Sequence, residues 1–176
     1  MNSERTYSIE PYNPDWVTKF NTIKKVLEEV FGTMALSIEH VGSTSVVGMK
    51  AKPLIDVLVI VENITSLERV KEEMISTGYI LRENVLDERS VLFEKIVGTE
   101  KIENIHVFET GAPRIKQFIN VRDYLRTHSE RAGQYSALKE KLKIEHPDDY
   151  LSYRPGKFTF LQETARLANE WAENKE

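Results

Sequence analysis

The sequence predicts an α+β fold: a mixed or antiparallel β-sheet with helices packed on it and a helical cap at the C-terminal end. Three observations predict it. Strand and helix signals interleave through the first part of the chain in the order α, β, β, α, β, β, β. From Pro113 onward the strand signal stops and only helical signals remain. No internal repeat, low-complexity tract or long linker interrupts the 176 residues. They are therefore read as one folding unit, 1–176, with a sheet half over about 1–110 and a helical half over about 111–176.

Taken in order, residues up to Tyr12 read as an extended lead-in. Asn13-Pro14-Asp15 opens a helix, since proline and an acid both suit a first turn. Trp16, Phe20, Ile23, Leu27 and Val30 recur at steps of four and three, which gives one apolar face to meet the sheet. Gly32 ends that helix. Ala35 to Val41 is apolar enough for a strand, Gly42-Ser43-Thr44-Ser45 is a tight turn of small hydroxyl residues, and Leu54 to Val61 is a second strand. Asn63-Ile64-Thr65-Ser66 opens a second helix to about Thr77, with Leu67, Val70, Met74 and Ile75 inward and Gly78 as the stop. Tyr79 to Arg82, Val91 to Val97 and Ile102 to Glu109 read as three further strands. A polar loop from Glu83 to Arg89 joins the first two, and Gly98-Thr99-Glu100-Lys101 turns between the last two. Pro113 opens a helix that ends near His128, and another spans about Glu130 to Glu145 before His146-Pro147-Asp148-Asp149 breaks it. The final helix carries Phe158, Leu161, Ala165, Ala168 and Ala172 on one stripe.

Composition narrows the function classes. Hydrophobic residues at 40% and charged residues at 30% describe a soluble globular chain rather than a disordered one. The absence of cysteine excludes disulfides and thiolate metal sites and suits a reducing cytoplasm, where the protein is expected. A formal net charge of -4 disfavours long nucleic acid as a partner and leaves room for a local basic pocket. No apolar run approaches the roughly 20 residues needed to span a bilayer. Met1-Asn2-Ser3-Glu4-Arg5 also lacks a secretory apolar core, so no membrane association is expected.

The chemistry concentrates around one charge. Asp56 stands alone in a run of Leu, Ile and Val, where an unpaired acid costs several kcal/mol. Its partner is a metal ion, a cationic side chain or a hydroxyl. A Gly-Ser turn that opens a short helix points free backbone N–H groups at one spot, which suits an anion. Gly42 lets the backbone come close, and the Ser43 hydroxyl can donate to a phosphate oxygen or simply cap the turn, with Thr44 and Ser45 assisting. An anion cradle beside a buried carboxylate is a recipe for binding a phosphate together with its metal. Lys157 stands at the start of the last helix, where the dipole prefers acids, and that mismatch points it toward a ligand; Lys95 is a weaker candidate of the same type. Lys52 precedes a proline and is expected to face solvent. His40 is expected to be a hydrogen-bonded core residue, and His128 and His146 to interact with helix ends.

Gly42-Ser43, a spacer and then an acid on a strand resembles the first motif of the nucleotidyltransferase superfamily, the DNA polymerase beta type. The strings Glu39-His40-Val41-Gly42-Ser43-Thr44-Ser45-Val46-Val47-Gly48 and Ala51-Lys52-Pro53-Leu54-Ile55-Asp56 resemble, more narrowly, the GrpB family. Pro11-Tyr12-Asn13-Pro14-Asp15-Trp16, Ile105-His106-Val107, Arg122-Asp123-Tyr124-Leu125-Arg126 and Tyr153-Arg154-Pro155-Gly156-Lys157 agree with it along the whole chain. The resemblance implies a nucleotidyltransferase-like sheet and Asp56 as a catalytic Mg²⁺ ligand. It implies Arg122 as a bidentate clamp on a phosphate or carboxylate, and a pocket lined by His106. Two departures stand out. The superfamily places two acids two residues apart on this strand, so that both reach one metal cluster; here the second place is Leu58. Asn104 stands where the family's later strand often has another His. Glu39 either compensates as a second catalytic metal ligand or is an ordinary exposed strand acid.

The implied function is Mg²⁺-dependent nucleotidyl transfer from a nucleoside triphosphate to a small-molecule or protein acceptor. The alternative is a degenerate module that keeps the phosphate pocket without transfer, and Leu58 speaks for it. Family members fused to dephospho-CoA kinase add, by analogy, a link to coenzyme A metabolism. A metal- or His-based hydrolase ranks last, because local His/acid ligand spacing is missing.

Overall fold

The computed structural model describes residues 7–83, 89–147 and 149–175. Its strands are β1 (Ala35–Val41), β2 (Ile55–Val61), β3 (Ile80–Glu83), β4 (Ser90–Val97) and β5 (Glu100–Glu109). They form one sheet in the order β1-β2-β5-β4-β3. β2 pairs with β5 in parallel and every other pair is antiparallel, so the sheet is mixed. The helices are α1 (Asp15–Phe31), α2 (Glu68–Ser76), α3 (Pro113–Thr127), α4 (Ser129–Glu145), α5 (Tyr150–Tyr153) and α6 (Phe158–Glu173).

Alternation along the strands divides the sheet into two unlike faces. Ile55, Val57, Val59, Ile105 and Val107 point to one side, where Trp16, Leu27, Leu67, Val70 and Met74 of the first two helices and their approach bury them. Each such side chain contributes about 1.5–3 kcal/mol of burial. The other face carries Val41, Leu58 and Phe108, covered by Ile115, Phe118 and Ile119 of α3. Strand register sets two rows across that second face. Val41, Asp56 and Asn104 stand in line, and Glu39, Leu58 and His106 form the next row.

Local chemistry moved several boundaries from the expected places. α2 starts at Glu68, because Asn63 Oδ1 accepts from Thr65 N at 2.8 Å and winds residues 64–66 into a separate 3-10 turn. Ile75 is 51% exposed rather than inward, since it lies off the stripe formed by Leu67, Val70 and Met74. β5 begins at Glu100, so Gly98-Thr99 alone make its turn, with Gly98 at φ 61. The short helix α5 was not expected; Asp149 caps it by accepting from Ser152 N at 3.1 Å. Phe158 is 62% exposed, and Phe160 packs in its stead, stacked on Tyr135 with centroids 5.2 Å apart. Residues 1–6 of the lead-in, residues 84–88 of the polar loop and Asp148 lie outside the described residues.

Candidate functional site

The turn and the acid meet. Gly42 sits at φ 72, a conformation that favours glycine, and a Cβ there would come within 2.6 Å of Asp56 Oδ2. The bend after β1 thus lies directly against the carboxylate. Residues 43–45 form one 3-10 turn, tightened by Ser45 Oγ, which donates to Gly42 O at 2.6 Å. Ser43 and Thr44 supply its first N–H groups, which no carbonyl within the turn can reach. Asp56 is half-buried and its other oxygen is held on the β5 side. Asn104 Nδ2 donates to Oδ1 at 2.9 Å, and His106 Nε2 lies 3.2 Å from the same atom. An ionised carboxylate only accepts, so the His106 proton belongs on Nε2. The partner of Asp56 is therefore an amide and an imidazole, rather than the cationic side chain or hydroxyl considered from sequence. His106 Nδ1 and Asn104 Oδ1 are buried without a hydrogen-bond partner.

Asp56 opens into a cavity of about 320 Å³ between the sheet face and the helical half. Gly42, Ser43, Thr44, Asp56, Arg122 and Lys157 all line it, so six of the residues singled out from sequence share one wall-to-wall space. Glu39 and His106 do not line it. His106 touches it through Asp56. Glu39 faces the same side of the sheet as Asp56, opposite Leu58, but its carboxylate accepts from Arg122 Nη1 at 2.8 Å and from Ser37 Oγ at 2.9 Å. Despite desolvation that pushes it up, those bonds hold the Glu39 carboxyl below its usual value. The Arg122 guanidinium is also engaged, donating from Nε to Asp123 Oδ1 at 2.7 Å and from Nη1 to His40 O at 3.4 Å. Arg126 Nε donates to Ser45 O at 3.1 Å. Together the two arginines pin α3 to the end of β1 and to the turn.

His40 is buried on the opposite face, stacked on Phe20 with centroids 4.7 Å apart and bonded to Thr44 Oγ1 at 3.1 Å. Burial brings it down to about 4, so it is a neutral core residue. Lys95 lies over the Tyr79 ring and away from the cavity. Lys52 corrects an expectation: it lines the cavity, with Nζ 5.0 Å from the Tyr150 ring centre.

Sequence reading missed the helical wall. Lys139 of α4 lines the cavity and is 3% exposed, with Nζ 4.4 Å from the Tyr135 ring centre and bonded to Lys50 O. Burial and the nearby Lys157 bring it down to about 7. Lys157 lies 4.3 Å from the Tyr153 ring centre, and burial, partly offset by Asp56, brings it to about 8. The Tyr135 phenol is pushed up by burial and by Asp56, with nearby Ser43 acting in the opposite direction. One signal was present: Lys139 falls on the buried stripe of its own helix with Ala132, Tyr135 and Leu142, where a lysine has no packing reason to be.

The donor set fits one Mg²⁺ ion and not a resident two-metal cluster. Asp56 Oδ2 faces the turn while Oδ1 is held from behind, and Mg²⁺ commonly takes one or two carboxylates with substrate phosphates and water. Among the described residues, no group of three or more His, Cys, Asp or Glu side chains could hold a metal. No helix among them is long and apolar enough to cross a membrane.

Comparison with known proteins identifies the family and the fold. The UPF0157 protein YqkA of Bacillus subtilis is 35% identical over 173 residues, which is 98% of this chain and 50% of that protein, so the chain spans half of this relative's length. A dephospho-CoA kinase of Mycolicibacterium paratuberculosis is 24% identical over 188 residues, covering 93% of this chain and 46% of the kinase. The crystal structure of conserved protein GrpB from Enterococcus faecalis superposes with a TM-score of 0.89 at 28% identity, over 94% of this chain and 99% of that one. The Cid1 poly(U) polymerase bound to MgGTP superposes with a TM-score of 0.51 at 14% identity, over 78% of this chain and 45% of that one. At that identity the likeness is one of fold, and the fold is that of a nucleotidyltransferase. The family model described as GrpB protein matches residues 6–166, from the lead-in through the turn, Asp56 and the lysine-bearing helices; the chain belongs to the GrpB family.

Proposed function

We propose that this protein binds a nucleoside triphosphate in the cavity and transfers its nucleotidyl group to a small-molecule or protein acceptor with the help of Mg²⁺. The observation that carries the reading is the contact between the Gly42 turn and Asp56 at the mouth of one cavity. The N–H groups of Ser43 and Thr44 and the Ser43 hydroxyl hold phosphate oxygens. Asn104 and His106 fix the Asp56 carboxylate, so that its free oxygen meets the same phosphates without rearrangement. Asp56 would hold the Mg²⁺, which when bound would supply charge neutralisation of the leaving group. Lys157 offsets further charge on the departing pyrophosphate. An acceptor oxygen or nitrogen forms a bond to the α-phosphorus, the bridge to the β-phosphorus breaks, pyrophosphate leaves with the electron pair, and the acceptor's proton passes to solvent. The catalytic set in this reading is Asp56 with the turn. Glu39 and Arg122 serve to hold α3 against the sheet.

A second reading, triphosphate binding without transfer, is favoured by Leu58 and by the engagement of Glu39 with Arg122, which leave Asp56 as the one acid lining the cavity among the described residues. Incubation with α-labelled nucleoside triphosphates and a cell extract separates the two. Transfer predicts label in a product and release of pyrophosphate, both lost in Asp56→Asn. Saturable binding with neither label nor pyrophosphate leaves the second reading. No binding of any triphosphate overturns both.

A further inference from the structure

Lys139 is a charged residue type in an apolar position. It sits on the buried stripe of α4 with Ala132, Tyr135 and Leu142 and is 3% exposed, yet it lines the cavity. Lysine is almost never fully buried, because the ammonium loses its hydration. The group that holds it here is a carbonyl rather than a carboxylate, since Nζ donates to Lys50 O. That carbonyl belongs to a fixed stretch of backbone: Lys50 N donates to Ser136 Oγ of α4 at 3.1 Å, and the next residue, Ala51, pairs with Glu10 at 2.9 Å. The acid beside Lys139 in sequence, Glu140, is turned to the Lys50 ammonium at 2.6 Å. The Tyr135 ring centre lies 4.4 Å from Nζ.

The consequence is a neutral amine at a small-molecule site. Burial and the nearby Lys157 both disfavour the ammonium and bring Lys139 down to about 7. Desolvation beside another cation is one of the arrangements that activate a lysine as a nucleophile. A neutral amine carries two N–H bonds and a lone pair. Lys50 O takes one hydrogen, which orients the nitrogen and leaves its lone pair available. A lysine kept only to anchor Lys50 has no need of the cavity, whereas this one shares it with Ser43, Thr44 and Asp56. At about 320 Å³ the space suits one small molecule, so a ligand seated on the turn occupies the same enclosure as Lys139.

Activation of the attacking group is also what the site otherwise lacks. An outside hydroxyl needs a base, or a metal held by a second acid, to shed its proton as it attacks. Leu58 removes that acid from β2, and Glu39 is occupied by Arg122. An amine that is already neutral attacks without a base and loses its proton afterwards.

We propose that Lys139 is the first acceptor of the nucleotidyl group, forming a covalent nucleotidyl-lysine before transfer to the final acceptor. This rests on the reading of the cavity as a triphosphate site, and names the group that attacks there. The Nζ lone pair bonds to the α-phosphorus, the bond from that phosphorus to the bridging oxygen breaks, pyrophosphate leaves with the electron pair, and the nitrogen gives a proton to solvent. In the second step the final acceptor bonds to the same phosphorus and loses a proton, the N–P bond breaks, and Nζ leaves with the electron pair and takes up a proton.

The test is incubation of the purified full chain with α-labelled nucleoside triphosphates and Mg²⁺, with no other acceptor present, followed by denaturation and peptide mass spectrometry. Calorimetry on the same protein measures triphosphate binding. The expected result is one burst of pyrophosphate and about one label per chain, mapped to Lys139. The label resists alkali and is released by mild acid, as a P–N bond requires, and γ-labelled triphosphate leaves none. Added pyrophosphate removes the label and re-forms triphosphate, by reversal of the same step. Lys139→Arg, whose guanidinium stays protonated, binds triphosphate but takes no label, a split that a purely structural lysine would not produce. Lys139→Met also takes none, with unchanged circular dichroism. If both variants fail to fold, the residue mapped in wild type decides. Triphosphate binding with no label on the chain, or with label mapped to another residue, overturns the nucleophile and leaves the reading of the cavity standing. If no triphosphate binds, both fall.

Discussion

Gly42 has two separate reasons to be glycine. Its φ of 72 strains any other residue by about 1–2 kcal/mol, and a methyl group there meets the Asp56 carboxylate. Gly42→Ala is expected to lower thermal stability by a few degrees and to weaken triphosphate binding by about tenfold. Unchanged affinity measured by titration would separate the turn from the ligand. The lysines yield a second expectation, with opposite signs for stability and binding. Lys139 sits near 7 and Lys157 near 8, both below the unfolded value of 10.5. The unfolded chain therefore holds more protons above pH 7, and the ligand-free protein gains stability from these groups as pH rises toward 10.5. Lys139→Met should accordingly stabilise most below about pH 7, with the advantage fading as pH rises. Triphosphate affinity should instead fall from about pH 7 to 9, because a neutral amine attracts no anion. A stability gain in Lys139→Met that grows with pH would reverse the assigned sign. At this scale Asp56, Ser43 and Lys157 were legible, as local departures from burial, turn and dipole rules. Lys52 was not, because a lysine that lies on a distant tyrosine looks in sequence like any solvated lysine; Lys139 left one trace, a charge on the buried stripe of its own helix.

Among the elements, the connection from α5 to α6 depends on one close approach. A Cβ at Gly156 would collide with the Leu142 side chain of α4, so Gly156 lets the short helical turn carrying Lys157 lie on that helix. Gly156→Val should displace Lys157 and weaken triphosphate binding several-fold while leaving the sheet intact; amide exchange protected in β2 and β5 but faster in α5 would report it. The α3 latch is the other junction. Arg122 is 10% exposed in its side chain, and its removal leaves Glu39 and Asp123 without their shared cation. Arg122→Ala is expected to cost about 1–2 kcal/mol, discounted because both acids are partly wet. Denaturant titration checks this; a neutral result would mean that packing of Phe118 and Ile119 alone holds α3. Helix and strand identities were readable from period and punctuation. Pairing was not: nothing local states that β2 lies beside β5, and it is that parallel pairing which sets Asn104 and His106 behind Asp56.

Across the whole molecule, the fold places the sheet face bearing Asp56 opposite helices bearing several bases, and the proposed ligand site is the gap between them. Membership of the GrpB family follows from the family match over residues 6–166, the likeness of fold to a nucleotidyltransferase from the superposition on Cid1, and the sequence strings in order already carried the family resemblance. The internal composition of the cavity did not follow, since more than half of its lining comes from α3, α4, α5, the turn after α5 and α6, whose docking is a tertiary outcome. On the proposed reading, Leu58 in place of a second acid limits transfer chemistry and makes Asp56 the residue among those described through which Mg²⁺ would act. Titration of a nucleoside triphosphate into wild type and Asp56→Asn, each with and without Mg²⁺, addresses that point. Mg²⁺ is expected to tighten binding to wild type by about tenfold or more and to leave Asp56→Asn unaffected. Equal Mg²⁺ enhancement in both proteins, or no binding to either, would contradict the assignment of Asp56 and the Gly42 turn as the centre of the site.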